Sequence, residues 1–236
     1  MSTAIFVDAG FYLKRFPAVY PQKDSGNPQA VARILHQAAI EHLSWKGNAD
    51  RRELYRVFVY DCPPLTKKAH RPISGRSIDF GRTDSARFRQ EFHRELKCLR
   101  KVALRLGRLQ DRQRWRIQPW AMNSLLAAKR TFDDLTDDDF AYEVHQKGTD
   151  MRIGLDIASV SYKRQVDQIV LVAGDADFVP AAKLARREGV DFILDPMWAR
   201  VPEDLHEHID GLRSTSPRPS RGRSESDRLP AFAAVQ

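Results

Sequence analysis

Two aspartates spaced by one residue, Asp175 and Asp177, follow the apolar run Ile169-Val170-Leu171-Val172 and the pair Ala173-Gly174. A short run rich in β-branched residues reads as a strand buried on both faces of a parallel sheet. Carboxylates just beyond such a strand lie where open α/β sheets bind ligands, and two of them can hold a hard cation. The same residues also suit a helix N-cap and a turn, so the pair alone leaves site and scaffold evenly matched. Asp8 shifts the balance, because Ala4-Ile5-Phe6-Val7-Asp8-Ala9-Gly10 is a second apolar strand that ends in an acid and a glycine. Asp150 is a third acid at an element boundary, opening the periodic stretch Met151, Ile153, Leu155, Ile157 and Ala158. Carboxylates that converge repel one another unless a cation sits among them. Acids at three such boundaries are the pattern expected of a nuclease that uses Mg²⁺ or Mn²⁺.

The elements that would position these acids alternate along the chain. After the first strand, a helix is expected from Pro28 to Lys46, with Asn27 as N-cap and Gly47 as stop. A strand over Leu54 to Tyr60 ends at Cys62-Pro63-Pro64, and Asp84 to Leu99 is helical, with Phe88, Phe92, Leu96 and Leu99 on one face. Val102, Leu104 and Leu106 alternate as a half-buried strand, with Trp115, Ile117 and Pro119 as its expected hairpin partner at an edge. Helix over Asp150 to Lys163, strand to Ala173, helix over Val179 to Glu188 with Gly189 behind it, strand over Asp191 to Leu194 and a short helix over Glu203 to Ile209 complete the series. Strands alternating with helices mean a mostly parallel α/β sheet flanked by helices. Asp156 lies six residues past Asp150, about 240° further round an ideal helix, so both cannot face one point.

At 236 residues with 42% apolar content, the chain can build a real core. Cys62 and Cys98 are far apart and are expected to be reduced, buried thiols. With no signal-peptide pattern and no apolar run near 18 residues, the expected compartment is the cytoplasm. Residues 213–236 are rich in Ser, Pro and Arg without apolar periodicity and are expected to be disordered. The acidic run from Asp133 to Asp139 is expected to be a solvated loop.

Charge is uneven. The whole chain carries +8, yet residues 65–130 hold eighteen Lys and Arg against five Asp and Glu, a net +13. A basic middle segment (64–130) beside an acidic site suits a protein that grips a phosphate backbone while its acids hold metal. Arg112, Arg114 and Arg116 are candidate nucleic-acid contacts, and Lys147 is a further candidate phosphate contact. Phe80, Phe88, Trp115 and Trp120 lie among the bases and could stack on unpaired bases, though each by itself is more plausible as core.

The combination VDAG near the start, VYDCPP at 59–64, KGTDMRIGLDIA at 147–158 and LVAGDADFVPAAKLARREGV at 171–190 resembles the NYN domain, a branch of the PIN-like ribonucleases. The resemblance spans residues 4–212 and implies one domain over 1–212. It implies a Rossmann-like, PIN-like sheet, a divalent cation (Mg²⁺ or Mn²⁺) and cleavage of RNA. Its acids fall on Asp8, Asp150, Asp175 and Asp177, with Asp156 as a possible outer-sphere neighbour. Many members carry Asn three residues after the first Asp, and this chain has Phe11 there. Two readings therefore stand: a metal-dependent endoribonuclease, or an RNA-binding regulatory protein that keeps the fold with weak catalysis. A haloacid dehalogenase-type phosphohydrolase would want an acid at Gly10 and is disfavoured.

Overall fold

The computed structural model describes residues 1–44 and 52–219. Its centre is a six-stranded sheet in which every pairing is parallel. The strands are β1 (Ser2–Asp8), β2 (Glu53–Asp61), β5 (Val102–Leu106), β8 (Gln168–Val172), β9 (Asp191–Asp195) and β10 (Gly211–Leu212), in the spatial order β10-β9-β8-β1-β2-β5. The chain thus builds outward from β1 on one side through β2 to β5. It then returns to the other side of β1 and builds outward again through β8 to β10. This is the doubly wound order, and β1 and β8 flank the switch point where ligands bind beyond the strand ends. The α/β, mostly parallel expectation holds.

Alternation along β1 divides the core. Ile5 and Val7 face a cluster with Tyr12, Phe16, Val31, Leu35, Phe92 and Leu96. These come from α1 (Ala9–Val19), α2 (Pro28–Glu41) and α3 (Asp84–Cys98). Ala4 and Phe6 face the other way, onto Ile153 and Ile157 of α5 (Thr149–Tyr162) and Ala182 and Ala185 of α6 (Val179–Arg187). Asn27 caps α2 as expected, its side-chain oxygen accepting from Ala30 N at 3.0 Å. The helix ends at Glu41, and the expected stop at Gly47 lies outside the described residues.

Two small antiparallel sheets form an arm beside the main one. It contains the hairpin of β3 (Lys68–His70) with β4 (Ser77–Asp79), and the ribbon of β6 (Arg108–Ile117) with β7 (Phe140–Lys147). Here the sequence reading is corrected. The Trp115–Ile117 strand pairs with β7, not with β5, and Pro119 opens a short helix, α4 (Pro119–Leu126), not an edge strand. The local alternation was real, but β5 is taken up by β2 in the main sheet. The acidic run is also more structural than a solvated loop. Asp139 is buried against Arg130, and Asp134 and Asp139 close capping boxes with Thr131 and Thr136. Asp137 accepts from the Ile73 and Ser74 amides of the β3–β4 turn.

The first residues of the expected disordered tail are ordered. Arg213 donates to the carbonyls of Glu41, His42 and Ser44, and Thr215 donates to Ala38 O and lies beside Asp195. These contacts satisfy carbonyls at the end of α2, which composition alone could not reveal. Residues 220–236 lie outside the described residues. Cys62 is buried as expected, whereas Cys98, at the end of α3, is exposed. Among the described residues no helix is long and apolar enough to cross a membrane. The short helix α7 (Glu203–His206) falls within its expected span.

Candidate functional site

Parallel register brings the strand ends together. Val7 sits beside Val172 on one side and Val59 on the other, and Val172 sits beside Asp195. Asp8 is therefore one residue past the last β1–β8 pair, at the switch point. It serves as the N-cap of α1: its Oδ1 accepts from Gly10 N at 2.9 Å and Phe11 N at 3.3 Å. Asp175 follows β8 by three residues and accepts from Asp177 N at 3.1 Å, opening the 3₁₀ turn Ala176–Phe178 ahead of α6. Asp150 lies in the first turn of α5, whose start is set by Gly148 at φ 81°, a left-handed conformation that suits glycine.

Electrostatics tie the four acids into one group. Burial pushes the Asp8 carboxyl up to about 6, helped by the charges of Asp150 and Asp61 and opposed by the Phe11 and Gly10 amides. Asp150 is also raised, by burial first and then by Asp175 and Asp177. Among the described residues no Lys, Arg or His forms an ion pair with any of the four. The carboxylates are neighbours but remain apart, since no three His, Cys, Asp or Glu side chains among the described residues converge tightly enough to hold one ion as they stand.

Other strand-end acids behave differently. Asp61, part of VYDCPP, ends β2 with its side chain fully buried. It pairs with Arg89 and, at 2.7 Å, with His93 of α3. Asp195 ends β9 buried against His42 at 2.9 Å. Both strands end in an apolar-run acid as β1 does, so the signal was present. What the sequence hides is the basic partner on a distant helix.

Phe11 packs its ring onto Gly174, where an added Cβ would approach the ring to 2.5 Å. The residue in the family's Asn position thus forms an apolar wall beside the turn that carries Asp175, and Gly174 is small because that ring lies on it. Asp156 accepts from the Tyr60 hydroxyl at 2.7 Å and lies 3.5 Å from Arg105. Its charge is thereby engaged away from the four acids. Lys147 closes β7, exposed, three residues ahead of Asp150, and its carbonyl lies against Gly107. Arg112, Arg114 and Arg116 are all exposed on β6, around the irregularity between Asp111 and Trp115. Arg114 is committed to Glu143 at 2.6 Å, which with His145 holds that carboxyl down at about 2. Of the four aromatics, Phe80 and Trp115 pack with Tyr142, Phe88 stacks on Phe92, and Trp120 is 53% exposed.

Against known proteins, residues 84–205, just over half of the chain, match the NYN domain. The protein belongs to the NYN domain family, within the PIN-like superfamily, whose members are typically nucleases with RNA-related roles. The matched span holds Asp150, Asp175 and Asp177, and the sheet brings Asp8 to them from outside it. No curated protein matches the chain. Among solved structures, a protein of unknown function from Vibrio parahaemolyticus is similar at 14% identity over 89% of this chain and 90% of its own, with a TM-score of 0.44.

The raised Asp8 carboxyl has a consequence for stability. It ionises near pH 6 in the fold but near its ordinary 3.8 in the unfolded chain. The favourable contribution of protonated Asp8 is intact below pH 3.8 and is lost as pH climbs through 6. Asp8→Asn keeps a cap acceptor and cannot ionise. In EDTA it should stabilise the protein by about 1–2 kcal/mol at pH 7.5, allowing for solvent screening, and by nothing near pH 4. Thermal melts at the two pH values check this; an equal gain at both would point to packing and not charge.

Proposed function

We propose that this protein is a metal-dependent endoribonuclease that hydrolyses RNA phosphodiester bonds at the switch-point acids. The observation that carries the reading is the contrast among strand-end carboxylates. Asp61 and Asp195 are buried with basic partners, whereas Asp8, partly buried, and the exposed Asp150, Asp175 and Asp177 stand as a group with none among the described residues. An all-oxygen donor set with a desolvated carboxylate fits a hard divalent cation such as Mg²⁺ or Mn²⁺. Asp8, Asp150, Asp175 and Asp177 are the residues that would hold it. When bound, the ion would supply Lewis acidity and positive charge at the scissile phosphate.

The chain's own residues do the remaining work. Asp8 is fixed in orientation by the α1 amides, so its carboxylate is preorganised. Phe11 and Gly174 form an apolar wall beside Asp175. Lys147, Arg112 and Arg116 offer cations to the phosphate backbone along the arm, and Arg114 belongs to that surface while bound to Glu143. The compartment proposed is the cytoplasm. Support for RNA as the substrate comes from NYN family membership.

A labelled RNA incubated with Mn²⁺ or Mg²⁺ should be cut to products with 5′-phosphate and 3′-hydroxyl ends. Asp175→Asn should reduce the rate by about 10² or more, the scale on which lost electrostatic stabilisation is felt. Binding without cleavage above the Asp175→Asn control would instead favour the RNA-binding regulatory reading, with Phe11 as the residue that departs from the family pattern. Ends carrying 2′,3′-cyclic phosphate would contradict the hydrolytic mechanism.

The arm makes its own prediction. Arg112→Glu combined with Arg116→Glu should weaken RNA binding and lower the salt-dependence slope by roughly 2, about one unit per lost phosphate contact. Titrations at several salt concentrations measure the slope; an unchanged slope would remove the arm from the interface.

A further inference from the structure

The helix α5 carries a second apolar face, turned away from the core. Its inner face is fully used, with Ile153, Ile157 and Val160 buried against the sheet and α6. On the opposite side Met151, Leu155 and Tyr162 are 72%, 63% and 58% exposed, with the half-buried Ala158 between them. At about 100° per residue these four fall within roughly 60° of one another, one stripe along the helix. Their spacing of four, three and four residues is that of a coiled-coil seam, a row that fits a second helix. Single exposed apolar residues are ordinary, whereas an aligned row marks a contact surface.

The two ends of the same helix carry opposite charges. At its N-terminal end stands the exposed Asp150, close enough to the exposed Asp175 and Asp177 ahead of α6 to feel their charge. At its C-terminal end Lys163 and Arg164 are exposed, and neither forms an ion pair among the described residues. Asp150 and Lys163 are about 20 Å apart along the helix, so acids and bases cannot meet within one chain. Two copies of α5 laid antiparallel would bring each cationic end to the other copy's acids, twice over. A parallel pair would set acid against acid, and a polyanion or an anionic lipid surface along the stripe would meet the same acids. Antiparallel pairing also sets Met151 of each copy beside Tyr162 of the other, and Leu155 beside Ala158.

We propose that the outer face of α5 is the contact surface of a two-fold dimer of this chain, in which the stripe packs against itself antiparallel. The partner's Lys163 and Arg164 then stand at the rim of each acid crevice, at about the 8–10 Å spacing of packed helices. That is near one Debye length, so the attraction is felt at low salt and screened at high salt. Three large side chains a copy fall short of a standard interface of about 800 Å² per partner, so the affinity expected is only micromolar. The dimer stands apart from the nuclease reading, since neither metal nor RNA enters it.

Sedimentation velocity of the full chain in EDTA, from about 1 to 100 µM, tests the proposal. Wild type should pass from monomer to dimer over that range, and less completely at high salt. Leu155→Gln keeps a good helix former at an exposed position and should weaken the dimer by at least about tenfold. Lys163→Glu should weaken it too, most at low salt, and carries the test if a thermal melt shows Leu155→Gln to be poorly folded. Orientation is read by cysteine pairing in a Cys98→Ser background, which removes the exposed thiol. Met151→Cys and Tyr162→Cys proteins should form an interchain disulfide when mixed and not when alone, since like positions lie about 16 Å apart in the antiparallel pair. Wild type that stays monomeric at the top of the range, an unchanged dimer in well-folded Leu155→Gln, or a disulfide formed by either cysteine protein alone would overturn the proposal.

Discussion

Repulsion among carboxylates at the edge of the sheet is the constraint around which the rest of this structure is arranged. A doubly wound sheet delivers the ends of β1 and β8 to one crevice, and in this chain both ends carry acids. Solvating them fully would relieve the repulsion, but Asp8 sits where burial raises its carboxyl to about 6. Pairing them with Lys or Arg would also relieve it, and the fold does that for Asp61 through Arg89 and His93. At the switch point Asp150, Asp175 and Asp177 are exposed to solvent, while Asp8 is partly buried with no basic partner among the described residues. A divalent cation would relieve the charge that solvent leaves at Asp8, and the metal-dependent reading proposed above rests on that.

The exposed arginines of β6 stand beside the acid crevice. Residues 65–130 carry +13 and the rest of the chain −5; Arg87, Arg89, Arg94, Lys97 and Arg105 of that segment lie on α3 and β5 of the main body, and the ribbon of β6 and β7 leads through Lys147 directly into Asp150. A polyanion held along the arm would therefore arrive at the acids along the chain's own path. The close approach of Gly107 to the Lys147 carbonyl and Thr149 locks that junction, since an added Cβ would meet both at 2.9 Å.

Periodic signals were legible in the sequence. The apolar runs of β1 and β8, the Asn27-Pro28 start of α2 and the Gly189 stop behind α6 each depend on nearest neighbours, so their local chemistry suffices. The positions of Asp8, Asp150, Asp175 and Asp177 at element boundaries were legible for the same reason. What failed depended on distant partners. The β6 strand alternated correctly, yet its partner was β7, more than twenty residues further on, and not the adjacent β5. Composition marked Arg213 and Thr215 as tail, but the unpaired carbonyls at the end of α2 hold them. Asp61 was not singled out, because the residues that hold it, Arg89 and His93, reach it from a separate helix.

Direct measurement of Mn²⁺ binding by electron paramagnetic resonance tests the unresolved-charge argument without any need for turnover or RNA. Wild-type protein should bind Mn²⁺ with an affinity that falls as pH drops below 6, where Asp8 takes up its proton. Asp150→Asn should weaken that binding by at least about tenfold, as loss of a charged oxygen ligand does. Wild-type protein that binds no Mn²⁺ at neutral pH, or an Asp150→Asn variant that binds it equally well, would contradict the account.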